Sequence, residues 1–176
     1  STGVIGEVLP DDLITPHIPA LIAKSESADS KWLAAADAIR TTDTFAKAAS
    51  RQTNIGDTNI TITGIAKGSG MIAPDMATIL CFIATDADLP SAILQDVLSR
   101  FTDQSFNAIT VDGDTSTSDT VIMAATASAK HPPVASAHDD VLANFCASLK
   151  SLMVELATLI VRDGEGATKL IQINVS

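Results

Sequence analysis

No tyrosine occurs in this 176-residue chain, and aromatic residues amount to only 3% of it. Its core must therefore be packed mainly from Ala, Ile, Leu and Val. Basic residues are scarce too: 11 Lys and Arg stand against 21 Asp and Glu, a formal charge of −10. With no basic stripe to release counterions, nucleic-acid binding is excluded as an expectation, although small cationic ligands suit such a field. The two cysteines, Cys81 and Cys146, sit inside apolar runs without C-x-x-C spacing. They read as buried free thiols of a reducing compartment, and the expected location is cytoplasmic. His17, His131 and His138 lack metal-ligand spacing and any Ser-His-Asp arrangement, so they are read as solvated and no metal is expected. A basic signal-type opening is missing, and no apolar run approaches the roughly 20 residues of a membrane span. The longest, near Leu149–Val161, carries Lys150 and Glu155, and no membrane partner is expected.

What is present is 46% hydrophobic residue against 18% charged, the balance of a core-rich globular chain. The length suits a single domain, and the abrupt ends suggest a piece of a longer polypeptide. In chain order, Ser1–Gly6 reads as a short β/turn element. After Pro10-Asp11-Asp12, the residues Leu13, Ile14, Ile18, Leu21 and Ile22 recur at near-helical spacing, interrupted by Pro16 and Pro19. Ser27–Ile39 reads as a helix capped by Asp29 or Ser30. Arg40-Thr41-Thr42-Asp43-Thr44 breaks that pattern as a hydroxyl-rich turn or cap. Strands are expected over Phe45–Thr53 and Asn59–Ala66, with Gly56-Asp57 between them, and over Thr78–Ala84. Asp86–Pro90 caps a helix over Ser91–Ser105, with Ile93, Leu94, Val97, Leu98 and Phe101 on its buried side. A short strand at Ala108–Val111, a helix over Thr115–Lys130 and a long helix over Val141–Arg162 follow. Lys169–Val175 closes the chain as an alternating strand. The mixture lacks a regular βαβ rhythm, so the expected fold is α/β, a layered mixed sheet packed by helices.

The stretch Gly64–Thr85 holds the densest polar constellation. Lys67, Asp75 and Thr78 lie between two segments that read as buried strands, around a flexible Gly68–Gly70 bend. Polar groups set beside rigid strands are the arrangement expected of a site. Some motifs fail on spacing. Asp112-Gly113-Asp114 opens like a calcium loop but has no bidentate Glu in place, and Lys67-Gly68-Ser69-Gly70 lacks the order of a phosphate loop. Without an activated histidine or cysteine, a Thr hydroxyl is a candidate nucleophile. Cleavage at Ala77–Thr78 would give it an α-amino group as base, with pKa near ~8.

Read together, STGVIG (Ser1–Gly6), TTDT (Thr41–Thr44), GIAKGSGMIAPDMAT (Gly64–Thr78), VDGDTSTSDT (Val111–Thr120) and DGEGATK (Asp163–Lys169) resemble the ornithine acetyltransferase family, the glutamate N-acetyltransferases of arginine biosynthesis. The resemblance spans essentially the whole chain, in order. It implies the self-processing aminopeptidase / ornithine acetyltransferase fold and self-cleavage between Ala77 and Thr78, giving an α-chain part (1–77) and a β-chain part (78–176). Thr78 would then carry an acetyl group from N-acetylornithine to glutamate, with Thr2 and Gly3 as the oxyanion hole. Thr41, Lys67 and Glu165, with Thr78 itself, match substrate-binding positions. A cation at Lys67 suits a substrate carboxylate, and Glu165 suits an amino group. No cofactor is implied, acetyl-CoA being the alternative acetyl donor, and the assembly implied is α2β2. Ser118 departs from the Asn of many members, for which a mild effect is expected, and the family's further N- and C-terminal segments are not among these residues. The alternatives are a self-processed hydrolase or aminopeptidase of the related fold, and an inactive binding or scaffold fragment.

Overall fold

The computed structural model describes residues 6–26, 28–72 and 79–174. Its centre is a four-stranded sheet in the order β1-β2-β3-β4. β1 (Lys47–Ile55) and β2 (Thr58–Lys67) form a hairpin whose turn uses Gly56 at φ +57°. β3 (Leu80–Ala87) pairs antiparallel with β2, and β4 (Thr120–Ala129) pairs parallel with β3. A parallel neighbour needs a crossover, and α3 (Ser91–Thr102) supplies it. The expected α/β class with a mixed sheet is thus the observed one.

Helix positions follow from the apolar spacing. α3 buries Ile93, Leu94, Val97, Leu98 and Phe101, the face expected from the sequence. A 3-10 turn at Asp140–Leu142, whose Val141 N–H is capped by Asp139, leads into α4 (Ala143–Arg162). α4 buries Phe145, Leu149, Leu152, Leu156 and Ile160 and lies across β1 and β2. Gly64 decides how close it comes. A Cβ there would stand 3.0 Å from both Leu152 Cδ2 and Leu156 Cδ1, so glycine lets the helix rest directly on the sheet. By length and composition Asp140–Arg162 would pass for a membrane span, contrary to expectation, but its apolar stripe is part of this core.

Several local expectations are corrected. Thr115–Lys130 is not a helix: Thr120–Ala129 is strand β4. Alanine is the best helix former, but intrinsic propensity is a weak prior, and a register pairing Leu80 through Ala87 with Thr120 through Ala129 outweighs that local preference. Ala108–Val111 forms no strand; a 3-10 turn covers Phe106–Ala108, and the Val111 N–H bonds back to Ile72 O at 2.8 Å. Residues 169–174 carry the expected alternation but no strand, lacking a ladder partner among the described residues, and Leu170, Ile171 and Ile173 are exposed. The helix after residue 27 is α2 (Asp29–Ala38), with Ala28 rather than Asp29 or Ser30 at its cap. Of the Asp86–Pro90 segment expected to cap α3, Pro90 stands at the cap position and makes no side-chain cap bond. Residues 11–17 form two 3-10 turns leading into α1 (Ile18–Ala23). The apolar side chains Leu13, Ile14, Ile18, Leu21 and Ile22 stay 43% to 67% exposed. His131 is half-buried rather than solvated, its Nε2 accepting the Asp88 N–H at 3.0 Å. Both cysteines are free, and burial pushes their thiols up in pKa.

Candidate functional site

A buried charge knot organises one end of the sheet. Lys47, the first residue of β1, has 0% relative exposure. Its Nζ lies 2.6 Å from Asp43 Oδ1 and 2.6 Å from Asp163 Oδ2, above the Phe45 ring at 4.7 Å. A dehydrated ammonium is tolerable only when paired, and two carboxylates over-compensate it. Backbone donors take up the excess negative charge. Asp43 accepts the Gly68 N–H at 2.7 Å and the Thr41 N–H at 3.2 Å. Asp163, directly after α4, accepts the Thr44 N–H at 2.9 Å and the Thr44 hydroxyl. Burial alone would push both acids up. For Asp43 the Gly68 amide and Lys47 outweigh it, and for Asp163 Lys47 and Thr44 do, so both carboxyls sit below their ordinary range.

The knot ties the Thr41–Thr44 turn to the glycine bend after β2. Thr42 Oγ1 and Ser69 Oγ are 2.6 Å apart, and the Glu165 N–H donates to Ser69 O at 2.7 Å. The Glu165 carboxylate reaches over Gly70, where a Cβ would stand 2.9 Å from its Oε2. The bend expected to be flexible is therefore pinned: Gly68 and Ser69 are bonded to other motifs.

A second anchor comes from the loop before β4. Asp112 accepts the Met71 N–H at 2.6 Å and the Ile72 N–H at 2.9 Å. It holds Met71 at φ +57°, a left-handed conformation uncommon for a side chain of that size. Ile72 O in turn accepts from the amides of Val111 (2.8 Å) and Gly113 (3.3 Å) and from Thr110 Oγ1 (2.9 Å). At the loop's other end Asp119 Oδ1 accepts the Ile79 N–H at 2.7 Å. The amides bound to Asp112 lower its pKa against the opposing push of desolvation.

Of the residues singled out from the sequence, Thr41, Lys67 and Glu165 lie in this neighbourhood. Thr41 is exposed on the turn held by Asp43, Lys67 ends β2 with 4% exposure, and Glu165 is exposed over Gly70. Thr2, Gly3, Ala77 and Thr78 lie outside the described residues, as does Asp75. Sequence reasoning missed Lys47, Asp163 and Asp119 as anchors, and treated Asp112 only as part of a failed calcium loop. Asp43 carried a signal, a carboxylate among hydroxyls at an element end. Lys47 and Asp163 are 116 positions apart and had none. Among the described residues no cluster of His, Cys, Asp or Glu has the grouping of a metal site. A hollow of about 600 Å³ beside Lys31 and Trp32 of α2 is lined, among the described residues, by no member of the two anchors or of the five motifs.

The whole chain, residues 1–176, matches the ArgJ family. It is 54% identical to the "Arginine biosynthesis bifunctional protein ArgJ" of Gluconobacter oxydans (strain 621H), covering 100% of this chain and 41% of that protein. Proteins of the same name from Mesorhizobium japonicum and Caulobacter vibrioides are each 48% identical, again over 100% of this chain and 43% of theirs. The chain thus spans less than half the length of these relatives. The crystal structure of the PH0078 protein from Pyrococcus horikoshii OT3 aligns with 67% of this chain at TM-score 0.43 and 19% identity, too slight a likeness to bear on function. A match that runs end to end and takes in every motif around the two anchors has one reading: this chain belongs to the ArgJ family.

Proposed function

We propose that this chain supplies the nucleophile and part of the substrate site of an enzyme that transfers acetyl from N-acetylornithine to glutamate in arginine biosynthesis. One observation carries the reading. Thr42 and Asp43, Glu165, and Asp112 with Asp119 come from three separate motifs, yet each contacts the chain on one or the other side of Ala77–Thr78. A fold that fixes both flanks of one connection with polar groups is spending stability on geometry there.

In this reading, hydrolysis of the Ala77–Thr78 peptide consumes one water and leaves a carboxylate on Ala77 and a free amine on Thr78. That amine is the base. The Thr78 hydroxyl, losing its proton to it, attacks the acetyl carbonyl of N-acetylornithine. The amide C–N bond breaks, ornithine leaves with the proton, and an acetyl ester remains on Thr78. The glutamate amine then attacks the ester, the C–O bond breaks, and the proton returns to the Thr78 oxygen. Thr2 and Gly3 stabilise the tetrahedral oxyanion, a role typically worth about 3–4 kcal/mol per donor. Lys67 meets a substrate carboxylate, Glu165 an amino group, and Thr41 a polar substrate atom. The enzyme works in the cytoplasm as α2β2, with acetyl-CoA the alternative donor.

The test uses the full-length protein. Intact-mass analysis should give two chains divided at Ala77–Thr78, and Thr78→Ala should abolish both division and transfer. Ornithine release should depend on glutamate; release at the same rate without glutamate would make the protein a hydrolase. An undivided, active Thr78→Ala variant would overturn the reading.

A further inference from the structure

We infer that Asp119, assisted by Asp112, is a positioning residue for self-cleavage, holding the two ends of the connection that contains Ala77–Thr78. The inference rests on the function proposed above. Its observations are the two carboxylates of one loop and the amides they bind. Asp112 takes the Met71 and Ile72 amides, with oxygens 2.6 and 2.9 Å away, immediately before the connection. Asp119 takes the Ile79 amide at 2.7 Å immediately after it.

The Asp119 bond is not a rung of the sheet. Parallel pairing of β3 with β4 begins at Leu80 with Thr120, and the Ile79 amide lies one residue ahead of it. There a carboxylate replaces the backbone carbonyl that would otherwise continue the ladder. The Thr120 N–H donates to Ile79 O at 2.9 Å, so the fully buried Ile79 is bonded through both its peptide groups. The Ile79 N–H belongs to the planar peptide that begins with the Thr78 carbonyl, so fixing that N–H constrains the plane leading out of Thr78.

Neither aspartate forms an ion pair among the described residues. Their charge is directed at backbone amides, and such charge-assisted bonds are shorter and stronger than neutral ones. Fixing the residues that flank a reacting bond lowers the entropic cost of bringing reacting groups together.

Self-cleavage of newly made full-length protein, followed by intact mass over time, provides the test, with the thermal midpoint measured in parallel. Asp119→Ala should slow cleavage by about 10²-fold, the order of a misplacement near 1 Å. Asp119→Asn retains an oxygen acceptor and should recover cleavage to within about tenfold of wild type. That recovery, at equal thermal midpoints, separates positioning from a loss of folding. Asp119→Ala cleaving at the wild-type rate overturns the inference, as does Asp119→Asn cleaving no faster than Asp119→Ala. If Asp119→Ala fails to unfold cooperatively, Asp112→Ala decides at the other flank: about tenfold slowing supports the inference and a wild-type rate overturns it. A wild-type protein that never divides at Ala77–Thr78 overturns the proposed function and this inference with it. Wild-type cleavage unaffected by either aspartate overturns the inference alone.

Discussion

The two anchors around the connection from β2 to β3 use the same residue type in opposite ways. At the knot, Asp43 and Asp163 are buried and share a lysine that is itself wholly enclosed. In the loop before β4, Asp112 is exposed, Asp119 is half-buried, and both bind backbone amides with no ion-pair partner among the described residues. Desolvation explains the difference. A buried carboxylate must recover what it lost from water through a cation and several donors, whereas an exposed one keeps much of its hydration. The knot therefore contributes rigidity at high risk, because losing one member strands the others. The loop contributes direction at low risk.

Lys47→Met breaks the comparison most severely. Methionine fills the volume but leaves Asp43 and Asp163 facing each other without a cation. Removing one partner of a buried ion pair typically costs about 3–5 kcal/mol. Urea unfolding at neutral pH should show a loss of that order. The deficit should shrink on acidification, because unpaired buried carboxyls have raised pKa values and fold more readily when protonated. A loss below about 1 kcal/mol would place the pair in the exposed class and erase the contrast with Asp112.

Acid titration of the unaltered protein sharpens the same contrast. Asp43 and Asp163 have folded-state pKa values depressed below the ordinary 3.8, so their contribution is present above that value. It is lost as the pH falls below 3.8 and passes through the depressed values. Stability measured from pH 6 downward should hold until about pH 4 and then fall. In Lys47→Met the fall attributable to these two groups should shrink, since only the Gly68, Thr41 and Thr44 donors then oppose the upward push of burial. An identical acid slope in both proteins would show that the knot is not what titrates.

How much of this was legible beforehand follows from the range of each interaction. The faces of α3 and α4 were readable because Ile93, Leu94, Val97, Leu98 and Phe101, or Leu149, Leu152 and Leu156, repeat within one helix. The β1–β2 hairpin was readable from alternation and the Gly56 turn. β4 was not, because its small residues carry a helical preference that only the pairing with β3 overrides. Residues 169–174 show the converse, a strand pattern with no described strand beside it. Thr41, Lys67 and Glu165, expected from motif resemblance, lie close to the knot. Lys47 and Asp163 were not legible, since a pair 116 residues apart leaves no local trace.

The gentlest probe is the hydroxyl contact that joins the two sides, Thr42 with Ser69 at 2.6 Å. Thr42 is exposed and Ser69 buried with 3% exposure, so the two single changes should not be equivalent. Thr42→Val leaves the Ser69 hydroxyl in place without that partner, whereas Ser69→Ala leaves Thr42 free to bond water. Each should cost about 0.5–1.5 kcal/mol by urea unfolding, with Thr42→Val the larger. The double variant should recover part of the sum, with a coupling of about 1 kcal/mol. Strict additivity would mean that the Thr41–Thr44 turn is held to the glycine bend by the Asp43–Gly68 bond alone. The knot would then be the whole of the attachment, and the hydroxyl pair only a consequence of it.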